Sequence, residues 1–174
     1  MCSIDVAAVL KLSPHEFDQG PHGFRALASK PGCDAETADL IALYRRTNWA
    51  KLDQGQVAIS YWHEGQSRAF AGQRDQAIPL LLAGVNPGVS GVNAEVDAES
   101  ALYSNAFAQY ALATVAFLQN DLPALKRARE RLAAIPMPAS YAKLDSPSPW
   151  PMNLKFVDGF IACFGKTYRQ AYAC

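Results

Sequence analysis

Apolar residues recur along most of this 174-residue chain at the spacing of amphipathic helices. The clearest case lies between Asp97 and Gln119, where one stripe follows steps of three and four: Tyr103, Phe107, Tyr110, Thr114 and Phe117. No segment alternates polar and apolar residues over the length of a strand. The pattern therefore predicts an all-α protein with essentially no sheet.

Start and stop signals divide this pattern into separate helices. Ser13 to Glu16 form a capping box, and Gly72 ends one long helix shortly before another begins. Short helices are expected in the first thirty residues, and a last turn or two after Thr167. We expect the main helices over residues 34–47, 56–71, 75–84, 97–119, 122–135 and 151–164.

One stretch, residues 85–96, interrupts the helical pattern. Its sequence, VNPGVSGVNAEV, is rich in glycine, proline, asparagine and serine, so a helix cannot run through it. It joins two loose halves, residues 1–84 and 97–174. Because a chain of this length suits one hydrophobic core, we expect residues 1–174 to form a single all-helical domain.

The charge balance narrows the choice of partners. Sixteen basic and sixteen acidic residues cancel, so the chain lacks the broad positive field that drives nucleic-acid binding. The longest uncharged segment, residues 100–120, contains Asn105, Gln109 and several alanines, which favours a buried helix over a membrane span. We therefore expect neither a nucleic-acid nor a membrane partner.

The four cysteines bear on the compartment. They are widely spread and form no CxxC pair: Cys2, Cys33, Cys163 and Cys174. The N-terminus carries Asp5 and Lys11 where a secretory signal would be apolar. We expect reduced thiols in a cytoplasmic protein, with disulfides in a secreted protein as the alternative. Because the cysteine and histidine spacings match no known zinc site, we expect no metal and no cofactor.

The segment 65–84, GQSRAFAGQRDQAIPLLLAG, reads as two helices reversing direction at Gly72. A large residue, a small residue four places on, a turn glycine and an alanine five places later match the tetratricopeptide repeat: Tyr61, Gly65, Gly72 and Ala77. Arg68 stands where that repeat usually has an aromatic residue, and Pro87 arrives early. A second, degenerate pair runs from Gln109 to Pro136. The chain thus resembles a tetratricopeptide-repeat-like helical hairpin protein.

This resemblance implies antiparallel helical hairpins stacked as a short array or bundle, and a non-enzymatic scaffold that binds a protein or peptide. In such proteins the first helix of each hairpin lines the concave surface. The corresponding positions here are Ile59, Trp62, Gln66 and Phe70 in the first hairpin, with Asn105 and Gln109 in the second. Trp62 is either the main anchor for the partner or a residue of the core.

Two alternatives to the scaffold remain open. Tyr61, His63 and Glu64 could contribute to an inter-helix pocket of a small helical enzyme or ligand-binding protein. A deep pocket joining His63 to the first fifty residues would favour this function, whereas an open groove exposing Trp62 and Gln66 would favour partner binding. The second alternative is homo-oligomerisation through the aromatic C-terminal helix: Phe156, Phe160 and Phe164.

Overall fold

The computed structural model describes residues 1–85, 97–145 and 148–174. Every regular element in these ranges is a helix, so the all-α prediction is confirmed. The chain divides into two compact units, Met1–Gly91 and Val92–Cys174, here called unit 1 and unit 2. Apart from Val85, the predicted linker 85–96 lies outside the described residues, and the single-domain organisation stays a prediction. No helix in the described ranges combines the length and hydropathy needed to cross a bilayer.

The described part of unit 1, residues 1–85, contains six helices and one 3₁₀ turn at Trp49–Lys51. The helix α4 packs against α5, and α5 packs against α6, while the shorter helices precede them. Asp53 begins α5 through a capping box with Gln56, two residues earlier than periodicity suggested. The helices are α1 (Val6–Val9), α2 (Pro14–Gln19), α3 (Phe24–Ala28), α4 (Asp34–Thr47), α5 (Gln54–Phe70) and α6 (Arg74–Ala83).

The pair α5–α6 reverses direction at Gly72, as the sequence predicted. Gly72 has φ +76°, a left-handed conformation that glycine adopts without steric cost. The two helices approach closely, since a Cβ added to Gly65 would lie 2.9 Å from Leu81, and one on Gly84 would lie 3.0 Å from the backbone of Trp62. Small residues therefore set the spacing of this hairpin.

The N-terminal segment folds onto α4. The rings of Phe17 and Tyr44 stack with centroids 3.7 Å apart, and the Tyr44 hydroxyl donates to the carbonyl of Leu12 at 2.8 Å. The Nδ2 atom of Asn48, just beyond α4, donates to the carbonyl of Leu10 at 3.2 Å. These contacts fix short helices that would be too short to persist alone in water.

Unit 2 contains α7 (Ala98–Leu118), α8 (Leu122–Ala133), α9 (Leu154–Ala162) and α10 (Tyr168–Tyr172), with a 3₁₀ turn at Tyr141–Lys143. The pair α7–α8 turns at Asn120, which has φ 57°. The helix α9 packs against α7, α8 and α10. It begins three residues later than predicted, because Asn153 has φ 67° and cannot continue a right-handed helix.

Aromatic rings fill the core of unit 2. Phe160 is fully buried, with its ring 5.1 Å from that of Phe117. Phe156 stacks on Tyr172 at 4.2 Å, and Phe164 meets Phe117 edge-on. The aromatic residues expected to support homo-oligomerisation are thus engaged within their own unit, and oligomerisation stays a prediction.

All four cysteines form disulfides, which corrects the expectation of reduced thiols. Cys2 bonds to Cys33 with their Cα atoms 5.4 Å apart, and Cys163 bonds to Cys174 at 6.5 Å. The first bond joins the N-terminal segment to the start of α4, and the second joins the C-terminal end of α9 to the residues that follow α10. The spacing of the cysteines in the sequence could not reveal these pairs, because tertiary packing decides which cysteines come close together.

Candidate functional site: a pocket beside His63

A cavity of about 150 Å³ lies in unit 1 among residues of α2, α3, α4 and α5. Its wall is mainly apolar and comes from Pro14, Phe17, Phe24, Ile41, Leu52 and Ile59. Polar side chains interrupt this wall at a few points: His15, Asp18, Tyr44, Gln56, Ser60 and His63. A mostly apolar concavity with a few converging polar groups is the usual form of a small-molecule site.

The sequence builds one wall of the pocket from a single face of α5. Gln56, Ile59, Ser60 and His63 stand at positions i, i+3, i+4 and i+7, which fall on the same side of a helix. The opposite wall comes from α2, where the proline after the Ser13 cap starts the helix. The pocket therefore forms where a long helix meets a short capped one.

His63 and Asp18 are the central polar pair. The Nδ1 atom of His63 lies 3.0 Å from Oδ1 of Asp18, and both side chains are at least four-fifths buried. The ring of Phe24 lies 5.1 Å from the imidazole ring, with which it makes a tilted contact. The pair thus joins α2 to α5 across one edge of the cavity.

The electrostatic surroundings keep Asp18 ionised. Burial is the largest single influence and raises the pKa of this carboxyl. The hydrogen bond and the positive charge of His63, the hydrogen bond from Gln19 and the charge of Arg25 together outweigh burial and lower the pKa below its usual range. A carboxylate in this state only accepts hydrogen bonds, so the facing Nδ1 of His63 carries a proton.

Most other polar groups of the pocket already have partners. The Ser60 hydroxyl donates to the carbonyl of Val57 at 2.7 Å, and the Tyr44 hydroxyl donates to Leu12. The Gln56 carbonyl accepts from the amide of Asp53 at 3.0 Å. Among the described residues, no hydrogen bond uses Nε2 of His63. This nitrogen is left to meet a ligand, as are the His15 imidazole and the side-chain amide nitrogen of Gln56, which also line the pocket.

Glu64 and Tyr61 lie apart from the pocket and contact Arg45 instead. The Arg45 guanidinium forms a buried ion pair with Glu64 at 2.5 Å and lies 3.8 Å from the centroid of the Tyr61 ring. Arg68 adds a longer contact to Glu64 at 3.9 Å. Neighbouring helical residues point about 100° apart, so the predicted trio of Tyr61, His63 and Glu64 divides between two environments.

The residues predicted to bind a partner also occupy different environments. Trp62 is 3% exposed and packs in the core, which is one of the two roles open to it from the sequence. Ile59 lines the pocket, and Gln66 and Phe70 are half-buried on α5. Asn105 is exposed on α7, where it accepts from Gln109 Nε2 at 3.3 Å. Partner binding through these residues stays a prediction.

Three residues of the pocket were not predicted from the sequence to contribute to a site: Asp18, Phe17 and Tyr44. No local spacing connects Asp18 to His63, because the contact depends on how the N-terminal helices fold onto α5. The spacing of Gln56, Ile59, Ser60 and His63 was a usable signal, since these residues place polar and apolar groups on one face. That pattern distinguishes a pocket wall from a uniformly apolar core face.

Other parts of the described chain offer weaker candidates for a site. A cavity of about 490 Å³ in unit 2 is lined by Tyr141, residues 148–156 and Asp158, essentially one stretch of chain that follows the described range ending at residue 145. Within the described ranges, no three histidine, cysteine or acidic side chains gather as a metal site would require. The pocket beside His63 differs from both because side chains from four helices converge on it.

The fold and this cavity define an all-helical protein with a pocket between its helices. No protein-family model, curated protein or solved structure matches the chain. The resemblance to tetratricopeptide repeats accordingly stays a prediction.

Proposed function

We propose that unit 1 is a ligand-binding module that holds a small, mainly apolar molecule in the pocket beside His63. The observation that carries the proposal is the convergence of an apolar wall and the buried, Asp18-paired imidazole of His63 on the same cavity. Binding is favoured over catalysis because the hydroxyls of Ser60 and Tyr44 donate to backbone carbonyls. A reaction would require a second group aligned with His63.

Filling the cavity tests this proposal directly. Ile59 lines the pocket and is half-buried, so Ile59→Trp should occupy the space of the ligand. We expect molecules found by ligand-observed NMR screening of the full chain to bind this variant at least about tenfold more weakly than wild type, because overfilled space excludes them.

The matched control is Ile161→Trp, the same change at a half-buried isoleucine of α9 in unit 2. It should leave the affinity for the same molecules unchanged. If Ile59→Trp binds them as tightly as wild type does, the assignment of the binding site to this pocket is wrong.

Partner binding through unit 2 is a second candidate. Asn105, Gln109 and Leu112 stand at i, i+4 and i+7 on α7, and Leu112 is 41% exposed. Asn105 and Leu112 are exposed and Gln109 between them is half-buried, and a partly exposed helical stripe of this kind suits contact with a protein or peptide, as the tetratricopeptide resemblance implies. Capture of partners with wild type and with Asn105→Ala/Leu112→Ala tests it, and recovery of the same proteins by both would remove this face as the binding surface.

The two disulfides also indicate the compartment in which the protein acts. Disulfides persist mainly in oxidising compartments and are rare in the cytosol of most organisms. The two disulfides therefore favour a compartment outside the cytoplasm over the cytoplasmic location predicted from the sequence. Thiol labelling of the native protein, followed by mass spectrometry, should find all four cysteines protected; four labelled thiols would restore the cytoplasmic prediction.

A further inference from the structure

We infer that the ligand of this pocket is a single-ring phenol-type molecule whose hydroxyl donates a hydrogen bond to Nε2 of His63. This inference rests on the proposed ligand-binding function and adds the chemical class of the ligand. Three properties of the cavity carry it: its size, the shape of its wall and the direction of the hydrogen bond that Nε2 of His63 can make.

The size of the cavity limits the ligand to about one ring. Its volume is about 150 Å³. An engineered protein cavity of similar volume, lined by leucine, isoleucine and phenylalanine, stays dry and binds benzene. A two-ring molecule would need room that the cavity offers only if the surrounding helices separated, at a cost typical of overpacking.

The wall favours a flat ring. Phe17 and Tyr44 form a stacked pair with an interplanar angle of 5°, and Phe24 lies beside Phe17 with ring centroids 5.6 Å apart. All three side chains line the cavity. Aromatic rings in such surroundings gain from edge-to-face or offset contacts in addition to simple burial.

The hydrogen-bonding direction of His63 requires a donor on the ligand. A neutral imidazole has one N–H and one acceptor nitrogen. In the neutral form of the His63 imidazole, the carboxylate of Asp18 holds the proton at Nδ1, so the lone pair lies at Nε2. A ring hydroxyl supplies the proton that this lone pair accepts. A ring carboxylate is disfavoured, since it brings a negative charge toward Asp18 and offers no proton.

Asp18 acts as a positioning residue in this arrangement. It does not touch the ligand in our proposal; it fixes which imidazole nitrogen carries the proton. An asparagine at this position offers an amide N–H as well as a carbonyl, so the imidazole is no longer held in one tautomer. Asp18→Asn should therefore reduce the preference for a hydroxyl while the apolar wall stays intact.

The test compares phenol with toluene, which has nearly the same shape but no donor. Dissociation constants are measured by NMR titration of the full, disulfide-bonded chain. In His63→Phe, phenol should bind about tenfold more weakly than to wild type, whereas toluene should change less than about twofold, because only phenol loses a hydrogen bond. Asp18→Asn should shift the ratio of the two constants in the same direction.

A second measurement covers the case in which His63→Phe fails to fold. In ¹⁵N spectra of wild type, the His63 signals should indicate a proton on Nδ1, and phenol should shift the Nε2 resonance while toluene does not. A proton on Nε2, or equal shifts with both molecules, would overturn the inference.

The outcomes separate this inference from the proposed function. If phenol and toluene both bind and their ratio is unchanged in His63→Phe, the pocket is a binding site but the role of His63 is wrong. If neither binds while other molecules bind wild type and lose affinity in Ile59→Trp, the phenol class is wrong and the proposed function stands. If nothing binds in a manner sensitive to Ile59→Trp, both are overturned.

Discussion

Unit 1 and unit 2 are both built on helical hairpins and each contains one disulfide, but their interiors differ in polarity. Of the six buried polar or charged residues in the described ranges, five belong to unit 1: Thr37, Arg45, Asn48, Glu64 and Ser67. The one in unit 2, Thr114, donates its hydroxyl to the carbonyl of Tyr110 in its own helix at 3.0 Å.

This difference matches what each unit contains. The rings of unit 2 gain stability from burial, from contacts with one another and from hydrogen bonds to backbone carbonyls, and they bring no charge into the core. Unit 1 buries ion pairs, which are costly to desolvate and seldom add net stability. A buried ion pair can fix the relative position of the two helices that carry it. In unit 1 the Arg45–Glu64 pair holds α4 and α5 together beside the candidate pocket. The comparison suggests a structural role for the core of unit 2 and a specific site in unit 1.

The buried ion pair of unit 1 gives the largest expected effect. Glu64→Ala leaves the Arg45 guanidinium buried without its anion, and the free energy of unfolding should fall by about 3–5 kcal/mol. The double variant Arg45→Met/Glu64→Leu should recover most of this loss. Thr114→Val in unit 2 should cost less than about 1.5 kcal/mol, because it removes one local hydrogen bond.

Urea unfolding, followed by circular dichroism, measures all three variants. Equal losses in Glu64→Ala and Thr114→Val would contradict the proposed difference between the two interiors.

Removing a disulfide should cause the next largest loss of stability. The loss should be larger for the disulfide of unit 1 than for that of unit 2. The Cys2–Cys33 bond spans 31 residues of sequence and the Cys163–Cys174 bond spans 11. If loop-closure entropy dominates, replacing the first pair by serine should cost about 4 kcal/mol and the second about 3 kcal/mol. Thermal unfolding of the two double variants checks the order, and a greater loss from the shorter loop would show that entropy is not the main cause.

Disturbing a close contact between helices should lower the stability by a similar amount in both units. A Cβ on Gly65 would lie 2.9 Å from Leu81, and one on Gly159 would lie 2.8 Å from the carbonyl of Ala171. Each change to alanine should cost about 1–3 kcal/mol through overpacking. Gly55→Ala is the milder comparison, since its nearest contact is a single atom of the Asp53 cap at 3.3 Å, and it should change the stability by less than about 1 kcal/mol. Differential scanning calorimetry distinguishes these outcomes.

The smallest expected effect concerns pH. Because the folded protein lowers the pKa of Asp18, its contribution to stability is present above the ordinary value of 3.8 and is lost as the pH falls through the lower folded value. Asp18→Asn should reduce stability at neutral pH by less than about 1 kcal/mol, since this pair is partly screened by water. Wild type and variant should converge in acid.

Urea titrations between pH 7 and pH 2 measure this convergence. A difference between the two proteins that grows toward low pH would contradict the sign of the shift.

Much of the fold followed from local signals in the sequence. The helix α4 and the reversal at Gly72 were predictable because periodicity, caps and a left-handed glycine act within a few residues. The pairing of Cys2 with Cys33 and of Asp18 with His63 was not, because each depends on where short helices settle against a distant partner. The pocket shares this property: its α5 wall could be predicted, but its α2 wall could not.

Three consecutive residues of α5 contact three different parts of unit 1, and this limits which sequence changes the helix can accept. Trp62 faces the core, His63 faces the pocket and Glu64 meets Arg45. Inserting or deleting one residue before Tyr61 would rotate everything after it by about 100° and misplace all three contacts together. Insertions and deletions should therefore accumulate in the connections between helices during evolution, while the length of α5 stays constant.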